Sequence, residues 1–383
     1  MKRAVYRIEI DSQDITSRLH AYLIRLSVED KEGASTDTCS IELDDSDGQI
    51  ALPRMRARVA VSYGWEPAEP PLKFVGTVDD IRSTGSRGQG MTLTIEAKGI
   101  DTQGKAKEEQ TRHWDDKDLE TVFREAAKDA GISNVRVDPE LGKIKRPYWS
   151  MNGESFISWG QELAEEVGGT FKIQGEAAVL LKRNAGQSAS GKPLPTVRAA
   201  RGVNLHSWDI SPILGRSRYR KVKARYYDRK AGKWKSKELE VGDDEVDAEK
   251  TIRAPASDEA EAERLVEAEK GESERNKGAG SVVIEGDETA APEGKCLVVG
   301  TRPGIDGEYT IVSVRDELSR GAGWTTSLEL KKPGSGAGKD SRGKKGASAP
   351  SSSETPSDSR LAPAAPRGDI NGRQGFASPS QRS

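Results

Sequence analysis

Cysteine and histidine are scarce in this chain: there are two cysteines, Cys39 and Cys296, and three histidines, His20, His113 and His206. Two well-separated cysteines make no disulfide framework, so both are expected as reduced residues packed like small hydrophobes. No Cys-x-x-Cys or His-x-x-x-His occurs, which removes the usual spacings of zinc sites. The histidines are scattered one per region and no Gly-x-Ser-x-Gly accompanies them, so no nucleophilic triad is legible. No run approaches ~18 apolar residues, and no membrane-spanning helix is expected. The first residues, Met-Lys-Arg-Ala-Val-Tyr-Arg-Ile, contain no apolar core of a signal peptide. A soluble protein made in a reducing cytosol, with no metal and no cofactor, is the resulting expectation.

Apolar residues are also sparse, at 34%, against 32% charged, and the net charge is only -2. So balanced a charge favours neither nucleic acid nor a membrane surface as a general partner. The length of 383 residues allows two or three domains. Low apolar content in so long a chain implies an unfolded portion, a polar surface that meets other subunits, or both.

Residues 1–104 read as β throughout. Tyr6, Ile8 and Ile10 alternate with polar neighbours, as do Tyr22 to Val28, Cys39 to Leu43, Val59 to Tyr63, Phe74 to Val78 and Met91 to Ala97. This period predicts antiparallel strands with one buried face and no helix, forming a small barrel or sandwich. The period changes in 105–185. Leu119, Val122, Phe123, Ala126 and Ala127 follow helical spacing, with Asp115 or Asp116 as the expected cap and Gly131 as the stop. A second helix carries Phe156, Trp159, Leu163 and Val167, and a hairpin follows around Gly175-Glu176. Residues 186–200 read as a polar linker. Residues 201–332 read as a second β-unit with one acidic helix from Ser257 to about Glu274. Residues 333–383 are Gly, Ser, Pro, Ala and charge, too poor in apolar residues to offset chain entropy, and are expected to stay unfolded. The fold class is thus α+β, mainly β: two small antiparallel barrel-like units, an α+β insert and a disordered tail.

The remaining motifs favour plain readings. Asp45-x-Asp47-Gly48 lacks the ligand positions of a calcium loop and reads as a polar turn. Gly334-Ser-Gly-Ala-Gly-Lys339 is one residue short of a phosphate loop and has no flanking strand and helix. Glu154, Glu162, Glu165 and Glu166 could serve a sugar hydrolase, but a solvated helix face explains them. Between Arg216 and Lys237 many basic residues interleave with Tyr219, Tyr226, Tyr227 and Trp234. Arg216, Arg218 and Arg220 share one strand face. Charge pairing with the acidic stretch that follows, a channel lining and DNA binding are the three readings of that face.

Three passages resemble a known family. They are Phe74-Val-Gly-Thr-Val-Asp79 with Leu93-Thr-Ile-Glu-Ala97; Leu119-Glu-Thr-Val-Phe-Arg-Glu-Ala-Ala127 continuing through Asn152-Gly-Glu-Ser-Phe-Ile-Ser-Trp159; and Gly307-Glu-Tyr-Thr-Ile-Val-Ser-Val-Arg-Asp316 with Trp324-Thr-Thr-Ser-Leu-Glu-Leu330. In this order, across residues 5–330, they resemble the phage late control protein D family, the tail hub proteins of contractile-tail baseplates. The family often has His near Asp316, and this chain departs there. The resemblance implies a structural protein, not an enzyme: a homotrimeric ring that adapts a sixfold tail tube to a threefold spike. It implies spike, tail tube, tape-measure and other baseplate proteins as partners, DNA only as passing cargo, and no membrane insertion. It also implies a place in the virion tail baseplate, after assembly in the host cytoplasm. Phe74, Gly76 and Val78, with Tyr309, Ile311 and Trp324, are then the expected subunit contacts, on two quasi-equivalent exposed strand edges. The competing functions are a tail-associated cell-wall hydrolase and a DNA-binding late-gene regulator.

Overall fold

The computed structural model describes residues 2–340 and 342, apart from 34, 35, 89, 102, 103, 175, 176, 184, 185, 187–192, 216–218, 242–245 and 254. The first β-unit runs β1 (Ala4–Ile10), β2 (Gln13–Asp14), a one-turn helix α1 (Thr16–Leu19), β3 (Leu23–Lys31), β4 (Thr38–Asp44), β5 (Arg58–Trp65), β6 (Leu72–Ser86) and β7 (Gly90–Lys98). The insert follows with β8 (Glu109–Asp118), α2 (Leu119–Asp129), β9 (Asn134–Val137), α3 (Pro139–Gly142), β10 (Lys145–Ser155), α4 (Phe156–Val167), β11 (Gly169–Gln174) and β12 (Ala177–Lys182). The remainder is β13 (Thr196–Ala200), β14 (Leu205–Ser211), β15 (Lys221–Asp228), β16 (Lys233–Glu240), β17 (Glu249–Thr251), α5 (Glu259–Arg275), β18 (Ala279–Glu285), β19 (Lys295–Val299), β20 (Gly307–Ser319) and β21 (Gly323–Lys331). The class is α+β and mainly β, as the periodicities indicate.

The two β-units share one sheet. Its strand order is β14-β18-β21-β20-β3-β4-β7-β6-β5-β1-β2, with β13 and β19 branching from β20. The seam is β20. Its first residues, Gly307 to Thr310, pair with β19. After a bulge between Ile311 and Ser313, residues Ser313 to Ser319 pair antiparallel with β3, while β21 holds the other edge. One long strand therefore serves both units. The core of the first unit, built on Ile41, Val59, Val61, Tyr63 and Leu93, accordingly takes in Leu318 and Trp324 from the far end of the chain. A second core holds Val282, Ile284, Tyr309, Ile311 and Leu328.

Two expectations about the first unit change. Helix α1 interrupts the strands; four residues give too little periodicity to read. The strand at Tyr309–Val314 is not an exposed edge, because β20 lies between β21 and the β19–β3 side. In β6, Phe74 to Gly76 pair with β5 alone and β7 pairs from Thr77 onward, so a strand lies on only one side of that first part. Phe74, Gly76, Val78, Tyr309, Ile311 and Trp324 are all buried inside the chain's own fold. Alternation reports which face of a strand is buried and carries no information on its rank in the sheet. Gly76 is held by a close approach: a Cβ there would lie 2.1 Å from the Lys98 carbonyl oxygen.

The insert has its own core around Phe123, Phe156, Trp159 and Phe171, whose ring centroids lie 5.4–6.2 Å apart. Asp118 caps α2 by accepting from the Thr121 N–H at 2.8 Å. The expected caps Asp115 and Asp116 lie a turn too early, in β8. Ser155 caps α4, which ends on Gly168 at φ +68°. A small sheet of β16, β15 and β17 covers α5 through Val222, Ala224, Tyr226, Ala262 and Val266. The expected linker ends in β13, which pairs parallel with β19. Residues 333–340, expected in the unfolded tail, pack onto β20: the Gly334 N–H donates to the Glu308 carbonyl at 2.7 Å and Ala337 is buried. The rest of the tail, from residue 343, lies outside the described residues. Both cysteines are free and buried, and burial pushes the Cys296 thiol up to about 12.

Candidate functional site

The polar side chains that converge in this protein do so along the seam. Asp316 points inward from β20, on the register phase of Val314 and Leu318, and is 6% exposed. An acid on the inward phase of a strand needs donors, and three are supplied. The Tyr63 hydroxyl, from β5, donates to Oδ2 at 2.8 Å. Trp324 Nε1 donates to Oδ1 at 3.0 Å, and the Thr326 hydroxyl donates to the same oxygen. Burial raises the Asp316 carboxyl above the usual range, opposed by these hydrogen bonds and by Lys73. Burial also raises the Tyr63 phenol, reinforced by Asp316. Around the carboxylate, Trp324 meets Tyr63 edge-on at 5.4 Å and Trp65 at 5.0 Å. Trp65 Nε1 donates to the Gly286 carbonyl at 2.9 Å, and Lys73 Nζ donates to that of Glu288 at 2.7 Å. The knot ties residues more than 200 positions apart in sequence, and its Lys73 also lines the cavity beside β6 described below. Such a geometry fixes two β-units together.

A second set of groups fastens the insert and α5 to this sheet. Lys172 of β11 places Nζ 2.6 Å from Asp30 and 2.6 Å from Asp37. Burial, with Asp37 alongside, pushes the Asp30 carboxyl up to about 6 although Lys172 pulls against it. Burial alone would lower the Lys172 ammonium, but the two aspartates outweigh it and the net shift is upward. Glu32, just past β3, pairs with Arg275 of α5 and lies 3.5 Å from Arg183. Arg183 in turn lies 3.4 Å from Glu272. Arg146 bridges Glu166 at 2.8 Å and Glu261 at 3.1 Å, joining the insert to α5.

The candidate catalytic groups do not assemble. Glu166 is spent on Arg146, while Glu162 and Glu165 face solvent on α4. His20 stacks on Tyr6, His113 stacks on Tyr148, and His206 is exposed on β14. Asp45 and Asp47 accept from the Ile50 and Gln49 amides at 3.1 and 3.2 Å, so both carboxylates hold turns. A cavity of about 980 Å³ between β6 and the insert is lined by Phe74, Val75, Ile100, Ile132 and Ile173. Its one acid, Asp101, pairs with Arg56. Two smaller cavities lie where α5 meets the insert, lined in common by Arg183, Ala268 and Glu272.

In the basic stretch, Arg216 and Arg218 lie outside the described residues, and Arg220 is exposed ahead of β15. Downstream, lysines pair with acids: Lys221 with Glu240 at 3.7 Å, Lys223 with Glu249 at 2.8 Å, Lys235 with Asp228 at 2.6 Å and Lys237 with Glu259 at 2.8 Å. The seam residues Tyr63, Thr326, Asp30, Asp37 and Lys172 were not singled out from sequence. The available signal was an acid on the apolar phase of a strand, at Asp316.

The fold is that of phage tail proteins. The 43 kDa tail protein of prophage MuSo2 from Shewanella oneidensis superposes with a TM-score of 0.64, over 85% of this chain and 98% of that one, at 16% identity. No protein-family model matches the chain. Two curated proteins are similar to it in sequence. The probable baseplate hub protein of Escherichia phage P2 is 31% identical over 196 residues, 51% of this chain and 50% of that protein. The protein of the same description in Escherichia phage 186 is 29% identical over 275 residues, 70% of this chain and 68% of that protein. The chain is thus similar in sequence to phage baseplate hub proteins, in line with the resemblance of the three sequence passages. The match spans half the length of the P2 protein.

Proposed function

We propose that this chain is a structural hub of a contractile tail, a homotrimer that adapts a sixfold tail tube to a threefold spike around a central channel. The two relatives described as baseplate hub proteins support the class. The observation that carries the finer reading is the seam: two β-units in one chain, fused through β20 into one sheet, give three chains six β-units to present. The Asp316 knot holds those units in fixed relation, and the Lys172 and Glu32 clusters fasten the insert and α5 to them, a rigidity that a ring subunit needs and a hydrolase does not. In this reading the spike, tail tube, tape-measure and other baseplate proteins are the partners and DNA is passing cargo. The chain assembles in the host cytoplasm and ends in the virion tail, and it performs no catalysis.

Size-exclusion chromatography with light scattering tests this. A trimer, alone or on adding the spike protein of the same particle, is the expected result. A monomer that binds neither spike nor tube protein overturns it.

A further inference from the structure

The hairpin of β15 and β16 ends in a finger whose chemistry differs from the rest of its sheet. Lys221, Lys223, Lys235 and Lys237 of the hairpin are each matched by a carboxylate. Four further cations of the same hairpin are not. Arg225, Arg229, Lys230 and Lys233 are exposed and have no carboxylate within ion-pair distance among the described residues. The nearest acid, Asp228, is already used: it accepts from the Lys230 and Ala231 amides at 2.9 Å and pairs with Lys235. The Lys235 ammonium, aided by those two amides, holds its carboxyl down at about 2, so it stays ionised and engaged.

Between these cations sit two aromatic rings that the fold leaves in solvent. Trp234 is 61% exposed and Tyr227 is 43% exposed. They are cross-strand partners, edge to face, with centroids 5.5 Å apart. Burying both would gain far more than an edge contact supplies. Strand alternation puts Arg225, Tyr227 and Trp234 on the sheet face away from α5, whose partner residues are Val222, Ala224 and Tyr226.

We propose that this tip is a docking finger for another protein, one that offers an apolar pocket rimmed by carboxylates. Two observations choose a protein over a nucleic acid. Residues 229–236 are all exposed, so the tip is a projection that enters a concavity, whereas single-strand binders lay the strand in a groove. The two rings also pack against each other edge to face and do not form a parallel platform for successive bases. Trp, Tyr and Arg together are the composition that dominates protein interface energies. The surplus of cations fixes the sign of the rim. The finger belongs to this chain whatever assembly it enters, so the inference stands apart from the trimer.

The test uses the full chain and a fluorescein-labelled peptide carrying a leucine block between two glutamate runs, followed by anisotropy. The peptide is expected to bind, with affinity falling as salt rises. Trp234→Ala should weaken it by roughly tenfold or more. Arg229→Glu, in the exposed turn where folding is not at stake, should weaken it as well. Unlabelled oligo-dT and vesicles of anionic phospholipid should not compete. The proposal is overturned if the peptide does not bind or if both variants bind it as the parent does. It is overturned equally if oligo-dT or the vesicles displace the peptide.

Discussion

Replacing Tyr63 by Phe removes one oxygen from the seam and leaves the rest of the packing intact. The lost bond is a donor to a carboxylate that is 6% exposed, at 2.8 Å. Hydrogen bonds to charged groups contribute about 1.5–3 kcal/mol, and a buried acceptor left short incurs a desolvation penalty of similar size. Tyr63→Phe should therefore cost about 2 kcal/mol at neutral pH. Trp324 and Thr326 still donate, so Asp316 is not stripped bare and the loss should not reach the ~3–5 kcal/mol of a fully broken buried ion pair. Urea unfolding followed by tryptophan fluorescence reads this region, because Trp65 and Trp324 lie beside the carboxylate. In an Asp316→Asn background the same change should cost at least about 1 kcal/mol less, since a neutral amide gains less from the hydroxyl. Acidification should also shrink it. Burial raises the Asp316 carboxyl, so it becomes neutral at a higher pH than an ordinary carboxyl does. A Tyr63→Phe cost below about 0.5 kcal/mol, or one unchanged by Asp316→Asn, would refute the account of the seam as a charge-assisted tie.

Other perturbations test separate links. Because Asp30 is raised to about 6 from an unfolded value near 4, its protonated form favours the folded state. Its contribution is complete below about pH 4 and lost as pH rises through about 6. Between those limits the parent should lose stability with rising pH faster than Asp30→Asn, as read from unfolding midpoints in a buffer series. Gly76→Ala forces a Cβ onto the Lys98 carbonyl and should cost about 3 kcal/mol or more in the same unfolding assay. Asp118→Ala removes the α2 cap and should cost about 1 kcal/mol, with Asp118→Asn recovering much of it.

Much of the fold could be read before any coordinates. The strands of residues 1–104 alternate cleanly, and α2 and α4 carry unbroken apolar stripes. Strands β8 and β16 were missed for a common reason. Glu109–Asp118 has Trp114 as its one large apolar residue, and Lys233–Glu240 has only Trp234 and Leu239, so charge hides the period. β13 sat at the end of a polar stretch and pairs with a strand about a hundred residues away. Strand rank was beyond reach altogether. The alternation around Phe74 and Tyr309 marks strands with one buried face, but their neighbours are decided by pairings over long separations. Asp316 was visible within a motif; its partner Tyr63 was not, because nothing local links them.

The seam also sets the order in which this chain can be finished. Glu29 on β3 pairs with Arg315 on β20, 286 positions later. While the chain is being made, β1 to β7 can form early, but the β20 side of β3 then carries unpaired amides and carbonyls. That ladder stays open until the last quarter of the chain has emerged, and the Trp324 slot in the first core stays empty as long. The half-made protein is thus sticky at one defined strand, and β20, made nearly 290 residues after β3, is the strand that closes it.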